Sequence, residues 1–189
     1  MKPKLMQAFL LAVLLPAFSS AWADKYADTV SLFKNAGASA EFFSNSYGYA
    51  VFPTVGKAGF GVGGARGTGR VFAQGKHVGD TAVTQLSLGL QAGGQAYSMI
   101  IFFQDERALK EFTSGNFEFG GDVSAVAITA SAGGSVGTTG TTGTASGGSK
   151  NAATAGGYHK GMAIFTIAKG GAMIEVAVKG QKFSFTPVG

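Results

Sequence analysis

No cysteine occurs anywhere in the 189 residues. That absence excludes disulfides, thiolate-bound metal and any lipid anchor attached through a cysteine, so an exported form of this chain is held together by its core alone. Histidine is nearly absent too: His77 and His159 stand far apart without neighbouring acids, which argues against a zinc or iron site. There is no Gly-x-Ser-x-Gly elbow and no Gly-Lys-Ser/Thr after a glycine-rich loop, so the sequence marks neither a hydrolase nucleophile nor a phosphate-cradling P-loop. Ser31-Leu32-Phe33-Lys34 fits a Ser-x-x-Lys pattern, but the Ser-Asp-Asn and Lys-Thr-Gly motifs that accompany it in penicillin-recognising enzymes are missing. Glu118 and Asp122 could be drawn as paired carboxylates, yet their spacing does not set them apart from solvated strand ends. The expectation is a protein that is not an enzyme and carries no cofactor.

Long apolar runs are confined to the start of the chain. Lys2 and Lys4 precede the apolar stretch QAFLLAVLLPAF, and Ala21-Trp22-Ala23 gives a small-x-small cleavage pattern. This is the signature of a secretory signal over residues 1–23, too short for a comfortable membrane span. Cleavage leaves residues 24–189 as one domain. The removed segment carries two lysines and no acid, so the formal charge falls from +5 to +3. A product that is soluble or peripherally attached to the envelope is expected, either retained in the periplasm or secreted.

What the chain does have is glycine, 31 residues of it, spread through β-branched and aromatic segments. Residues 24–46 read as helical, because Tyr26, Val30 and Phe33 fall on one stripe; Gly37 breaks the helix, and a second short helix near Ser39 carries Phe42 and Phe43. This stripe either packs on the domain or meets a membrane surface through Phe33, Phe42 and Phe43. From Tyr49 the pattern turns to strands. Pro53 indicates an edge or a bulge, and the alternation around Leu86, Leu88 and Leu90 puts those three on one face. One internal helix is expected after Gln104 or Asp105, with Leu109 and Phe112 on its apolar side and Gly115 as its stop. Residues 135–155, rich in Gly, Thr and Ser, read as a mobile loop, and further strands follow over GMAIFTIA, AMIEVAVKG and QKFSFTP. The fold class expected is α+β: a single β-rich domain of largely antiparallel, glycine-rich strands with an N-terminal helical segment and one internal helix.

The stretch YGYAVFPTVGKAGFGVGGARGTGRVF, Tyr47 to Phe72, contains a formal Gly59-x-Gly61-x-x-Gly64 fingerprint. Strand residues rather than a helix follow it, so the backbone N–H groups and helix dipole that hold a pyrophosphate are missing. Its cations are more informative. Lys57, Arg66 and Arg70 lie within one or two hairpins, and arginine forks beside glycine turns suit phosphate; the alternative is that they simply solubilise turn tips. For an exported protein, lipid phosphate is the better match than nucleic acid.

This stretch resembles the first block of the SYLF domain family, a lipid-binding domain. SLFKNAGASAEFFSNS is similar to its helical lead-in, QLSLGLQAGGQAYSMIIFFQDERALKEFTSGNFEFGGDVSAVA to its middle block, and YHKGMAIFTIAKGGAMIEVAVKGQKFSF to its closing block. The resemblance implies a compact domain over residues 24–189 that binds phospholipid headgroups, phosphoinositides and actin being partners of eukaryotic members. An export signal would separate this chain from cytosolic actin. The leading expectation is a phospholipid-binding envelope protein that grips anionic headgroups through Lys57, Arg66 and Arg70. A small outer-membrane β-barrel and a structural envelope protein are the alternatives.

Overall fold

In the computed structural model, the described residues are 20–60, 62–88, 93–119, 123, 125–130, 136–142, 157–169 and 180–189. Helix α1 spans Ser20–Lys34, and the short turns α2 (Gly37–Ala40) and α3 (Phe42–Asn45) follow it. Four long strands come next: β1 (Gly48–Phe60), β2 (Val62–Ala73), β3 (Lys76–Leu88) and β4 (Gly93–Phe103). Helix α4 (Glu106–Phe112) leads to β5 (Phe117–Glu118), β6 (Ala125–Ala130), β7 (Val136–Thr142), β8 (Met162–Lys169) and β9 (Lys182–Pro187).

The strands form one nine-stranded sheet in the order β5-β9-β3-β2-β1-β4-β8-β6-β7. Every pairing is antiparallel except β6 with β8, so the α+β class with largely antiparallel strands holds. Pro53 sits in a bulge rather than on an edge. β1 is hydrogen-bonded on both sides, and its register shifts between Val51 and Thr54 against β2, and between Phe52 and Val55 against β4. Ser98 Oγ donates to the Pro53 carbonyl at 2.9 Å, satisfying one polar group that the bulge releases. The fingerprint glycines fall on the β1–β2 hairpin, with no helix behind them.

The sheet is strongly curled. Phe52 on β1 and Phe183 on β9 are separated by two intervening strands, yet their rings lie 5.8 Å apart. Gln181, just before β9, donates from Nε2 to the Tyr97 hydroxyl on β4 at 3.0 Å. Across a flat sheet, with strands about 4.8 Å apart, neither contact could form. The inner, concave face therefore holds a core of Phe52, Val55, Met99, Ile101, Phe103 and Phe183, which α4 closes with Ala108 and Phe112. Asp105 caps that helix, accepting from the Ala108 N–H at 2.8 Å, and Gly115 follows it at φ +103°. Close strand contact on this face requires glycine at position 69, where a Cβ would stand 2.6 Å from the Phe52 ring and 2.8 Å from the Val51 carbonyl oxygen.

The outer face is covered on one side by α1–α3. Phe33 and Phe42 are 0% and 6% exposed, and they pack with Val51, Ile100, Phe102 and Phe165. Phe43 is half-buried, with its ring 4.8 Å from that of Phe102. Of the two readings of the N-terminal stripe, packing on the domain is the one the structure shows for Phe33 and Phe42, and their assignment to a membrane surface is corrected; Phe43 is only half-covered by that packing. Burying the Phe33 and Phe42 rings against a sheet removes more apolar area from water than grazing contact with a headgroup layer could.

The expected loop over 135–155 is corrected in part: Val136–Thr142 is strand β7, paired with β6, because a run rich in threonine is β-branched and suits an edge strand. Position 135 and positions 143–155 lie outside the described residues, as do Leu90 and most of AMIEVAVKG.

Tyr97 makes the interior sensitive to alkali. It is 2% exposed, and burial pushes its hydroxyl up to about 12, opposed by the hydrogen bond from Gln181. The unfolded value is about 10, so the folded state keeps the proton longer. The stabilisation is full below about pH 10 and is lost as pH rises through about 12, an effect on the order of 2–3 kcal/mol. The urea midpoint is expected to drop between about pH 9 and about pH 11.5, and Tyr97→Phe to flatten most of that drop. An equal drop in the variant would place the alkaline transition elsewhere.

Candidate functional site

The β-strand period of two decides where each cation points. Lys57 pairs with Ala65, and Ala65 belongs to the inner core, so Lys57 stands on the inner face near the open end of the curl. Arg66 and Arg70 alternate with Ala65 and Val71, which are inner residues, and so lie on the outer face. The structure thus does not bring Lys57, Arg66 and Arg70 into one cradle. Their closeness in sequence hid the change of face between neighbouring strand positions.

Arg70 is committed elsewhere. Its guanidinium lies over the Tyr26 ring, 4.4 Å from the centroid, and its Nε is 3.7 Å from Asp80 Oδ1. Asp80 also holds His77 Nε2 at 3.1 Å, so the expectation that His77 has no acid beside it is corrected. This clamp ties α1 to β2 and β3 and spends the charge of Arg70 on a protein carboxylate. Beside it lies an open groove of about 360 Å³, lined by Tyr26, Thr68, Arg70, Asp80, Ser184 and Thr186. Its single guanidinium and single carboxylate offset each other, so the groove is not an anion site.

The register places a different set of cations together. Lys182 on β9 is opposite Thr84 on β3. Thr84 is opposite Arg66 on β2, and Arg66 is opposite Gly56 on β1. Gly56 is opposite Ala96 on β4, and Ala96 is opposite Lys169 on β8. Directly opposed residues share a face. Lys182, Arg66 and Lys169 therefore form one cross-strand row on the outer face, interrupted only by Thr84, Gly56 and Ala96. All three cations are exposed. Lys169 donates to Thr54 Oγ1 at 2.9 Å, and Lys182 lies 3.8 Å from Glu118 Oε2, a long contact between exposed groups. Among the described residues no carboxylate pairs with Arg66. With strands about 4.8 Å apart, the row runs for roughly 24 Å measured along the curl of the sheet.

The intervening residues matter as much as the cations. Glycine, alanine and threonine leave the face low between the basic side chains, so no bulky neighbour screens any of the three from an anionic ligand. Twist of about 20° per strand fans those side chains apart. They do not converge on one phosphate, and the arrangement fits a surface of many phosphates better than a single bound ion. Sequence reasoning found Arg66 but missed Lys169 and Lys182, because no local signal links residues more than a hundred positions apart; only strand pairing does.

Beyond the row, toward the hairpin ends, the same face becomes apolar. Leu86 is opposite Gly64, and Leu88 is opposite Val62. Leu86 is 89% exposed and Val62 is 65% exposed, two of the three large hydrophobic side chains that stand out in solvent among the described residues. No helix among the described residues is long and apolar enough to cross a membrane.

A family model described as Ysc84, Las17-binding protein actin regulator, matches residues 84–186, just over half of the chain. The matched region runs from the end of β3 to β9 and includes Lys169 and Lys182. No curated protein matches the chain.

Proposed function

The chain belongs to the Ysc84 family, the SYLF domain of the resemblance drawn above, and from that premise we propose that it is a non-enzymatic phospholipid-binding protein of the cell envelope. The observation that carries this reading is the exposed row Lys182–Arg66–Lys169 on the outer face of the sheet. Anionic headgroups are the ligand chemistry such a row selects, through charge-assisted contacts to phosphate oxygens.

Export is part of the proposal. Helix α1 begins at Ser20, ahead of the expected cleavage point, so cleavage after Ala23 would trim its first turn and leave Asp24 at the new end. Outside the cytosol the actin and Las17 of the family's description would be out of reach, whereas anionic lipid would not. A membrane-spanning barrel fits the geometry less well: the outer face that such a barrel turns to lipid here carries helices, Arg66 and Arg70.

Flotation of the full chain with vesicles tests the reading. Binding is expected to phosphatidylcholine vesicles containing phosphatidylglycerol, to be absent with phosphatidylcholine alone, and to fall by about tenfold or more between about 0.05 M and about 0.5 M salt. Equal binding to neutral vesicles at both salt concentrations would defeat the proposal.

A further inference from the structure

We infer that the protein enters the membrane interface edge-on, with the hairpin end that carries Val62 and Leu86 buried among the lipids and the cation row at phosphate level. This rests on the anionic-phospholipid reading and adds to it an orientation and an apolar anchor.

Three observations point the same way. First, Lys182, Arg66 and Lys169 stand at one register position along the paired strands, so one end of the sheet carries all three toward the headgroups. Second, the apolar side chains lie beyond that row at the right distance. Leu86 is two residues past Thr84, and Val62 is four residues before Arg66 on the returning strand, which puts them about 7 Å and about 13 Å further along. A headgroup layer is only about 5–7 Å thick on each side of the hydrocarbon core, so both side chains would reach acyl chains. Third, Lys57 faces inward but sits one residue nearer the hairpin end than the row. Docking by the outer face alone would leave Lys57 pointing away from the lipid. Edge-on entry brings it into the same headgroup layer from the other side.

The end suits such entry in its backbone as well. At its β1–β2 hairpin the two strands are paired up to their ends, with Gly59 opposite Gly63 and Phe60 opposite Val62, so this tip brings few unpaired N–H and C=O groups into a dry environment. A second copy of the chain is a poorer occupant: burying Val62 and Leu86 against each other would force two rows of cations together.

The absence of native cysteine allows a direct measurement. Full-length Val62→Cys, Leu86→Cys and Thr186→Cys, each labelled with an environment-sensitive nitrobenzoxadiazole dye, are mixed with phosphatidylglycerol-containing vesicles. Thr186 serves as the reference, because it is opposite Asp80 on the outer face, well behind the row. The dye at positions 62 and 86 is expected to brighten severalfold and to become shielded from iodide, while the dye at 186 stays open. Lys57→Glu should weaken binding about as much as Arg66→Glu. A double Val62→Ser, Leu86→Ser variant should lose about tenfold in affinity, most visibly at high salt where the electrostatic part is screened. Three results overturn edge-on entry while leaving anionic binding standing: equal dye responses at 86 and 186 with binding intact, no effect of Lys57→Glu, or dye shielding that appears without vesicles and grows with protein concentration, which would mark self-association. Failure of the wild-type chain to float with anionic vesicles overturns both the entry mode and the lipid reading.

Discussion

Arg66→Glu, Lys169→Glu and Lys182→Glu, combined in one chain, are expected to abolish flotation with anionic vesicles while leaving the fold intact. Each cation near an anionic surface contributes about 1 kcal/mol, and each reversal replaces that attraction with a comparable repulsion. The summed change is about 6 kcal/mol, on the order of a ten-thousand-fold loss in affinity, beyond what flotation detects. The fold should tolerate the change because all three side chains are exposed and none contributes to either core cluster. Among the described residues the long Lys182–Glu118 contact is the ion pair lost, and exposed pairs of this kind contribute about 0–1 kcal/mol. Arg70→Glu is the informative contrast. It breaks the clamp on Tyr26 and Asp80 and should lower stability, yet it removes no cation of the row. If the triple variant kept wild-type binding with an unchanged melting temperature, the row would not be the lipid contact.

Phe102→Ala carries the largest expected loss of stability. Phe102 is fully buried on β4, and its ring lies 5.5 Å from Phe42, 4.8 Å from Phe43 and 5.9 Å from Phe165. It joins the helical layer to the outer face of the sheet. Truncation should cost about 3–5 kcal/mol, the transfer energy of the ring plus the cavity it leaves. That is a large share of the ~5–15 kcal/mol by which a domain is stable, and a fall in melting temperature of about 10 °C or more is expected. The helical layer should loosen first, so limited proteolysis in residues 25–46 should quicken ahead of cleavage in the strands. Leu86→Ala on the same chain removes an exposed side chain and should shift the melting temperature by no more than a degree or two. Similar melting curves for the two variants would contradict the placement of Phe102 as the joint between layers.

Much of the architecture was legible before any coordinates. The stripe Tyr26, Val30, Phe33 specified a helix with one buried side, and Tyr26 and Phe33 are indeed buried. Asp105 and Gly115 bracketed α4 because capping and left-handed backbone are local requirements, met by residues within a turn of one another. Pro53 announced an irregularity for the same reason, although the bulge lies in a central strand and not at an edge. Threonine among glycines misled over Val136–Thr142, since low apolar content does not prevent a strand whose backbone is paired on one side.

Composition and local pattern, then, determined by themselves that this is a cysteine-free α+β domain of glycine-rich antiparallel strands with a family likeness running through it, since helix stripes, caps and strand alternation depend only on residues a few positions apart. The tertiary structure alone decided which cations act together. Register over six strands aligned Lys182, Arg66 and Lys169, while the alternation of side chains turned Lys57 to the other face and Asp80 claimed Arg70. Side-chain direction flips with every residue of a strand, and pairing joins residues more than a hundred positions apart, so closeness along the chain carries no information about which charges share a surface.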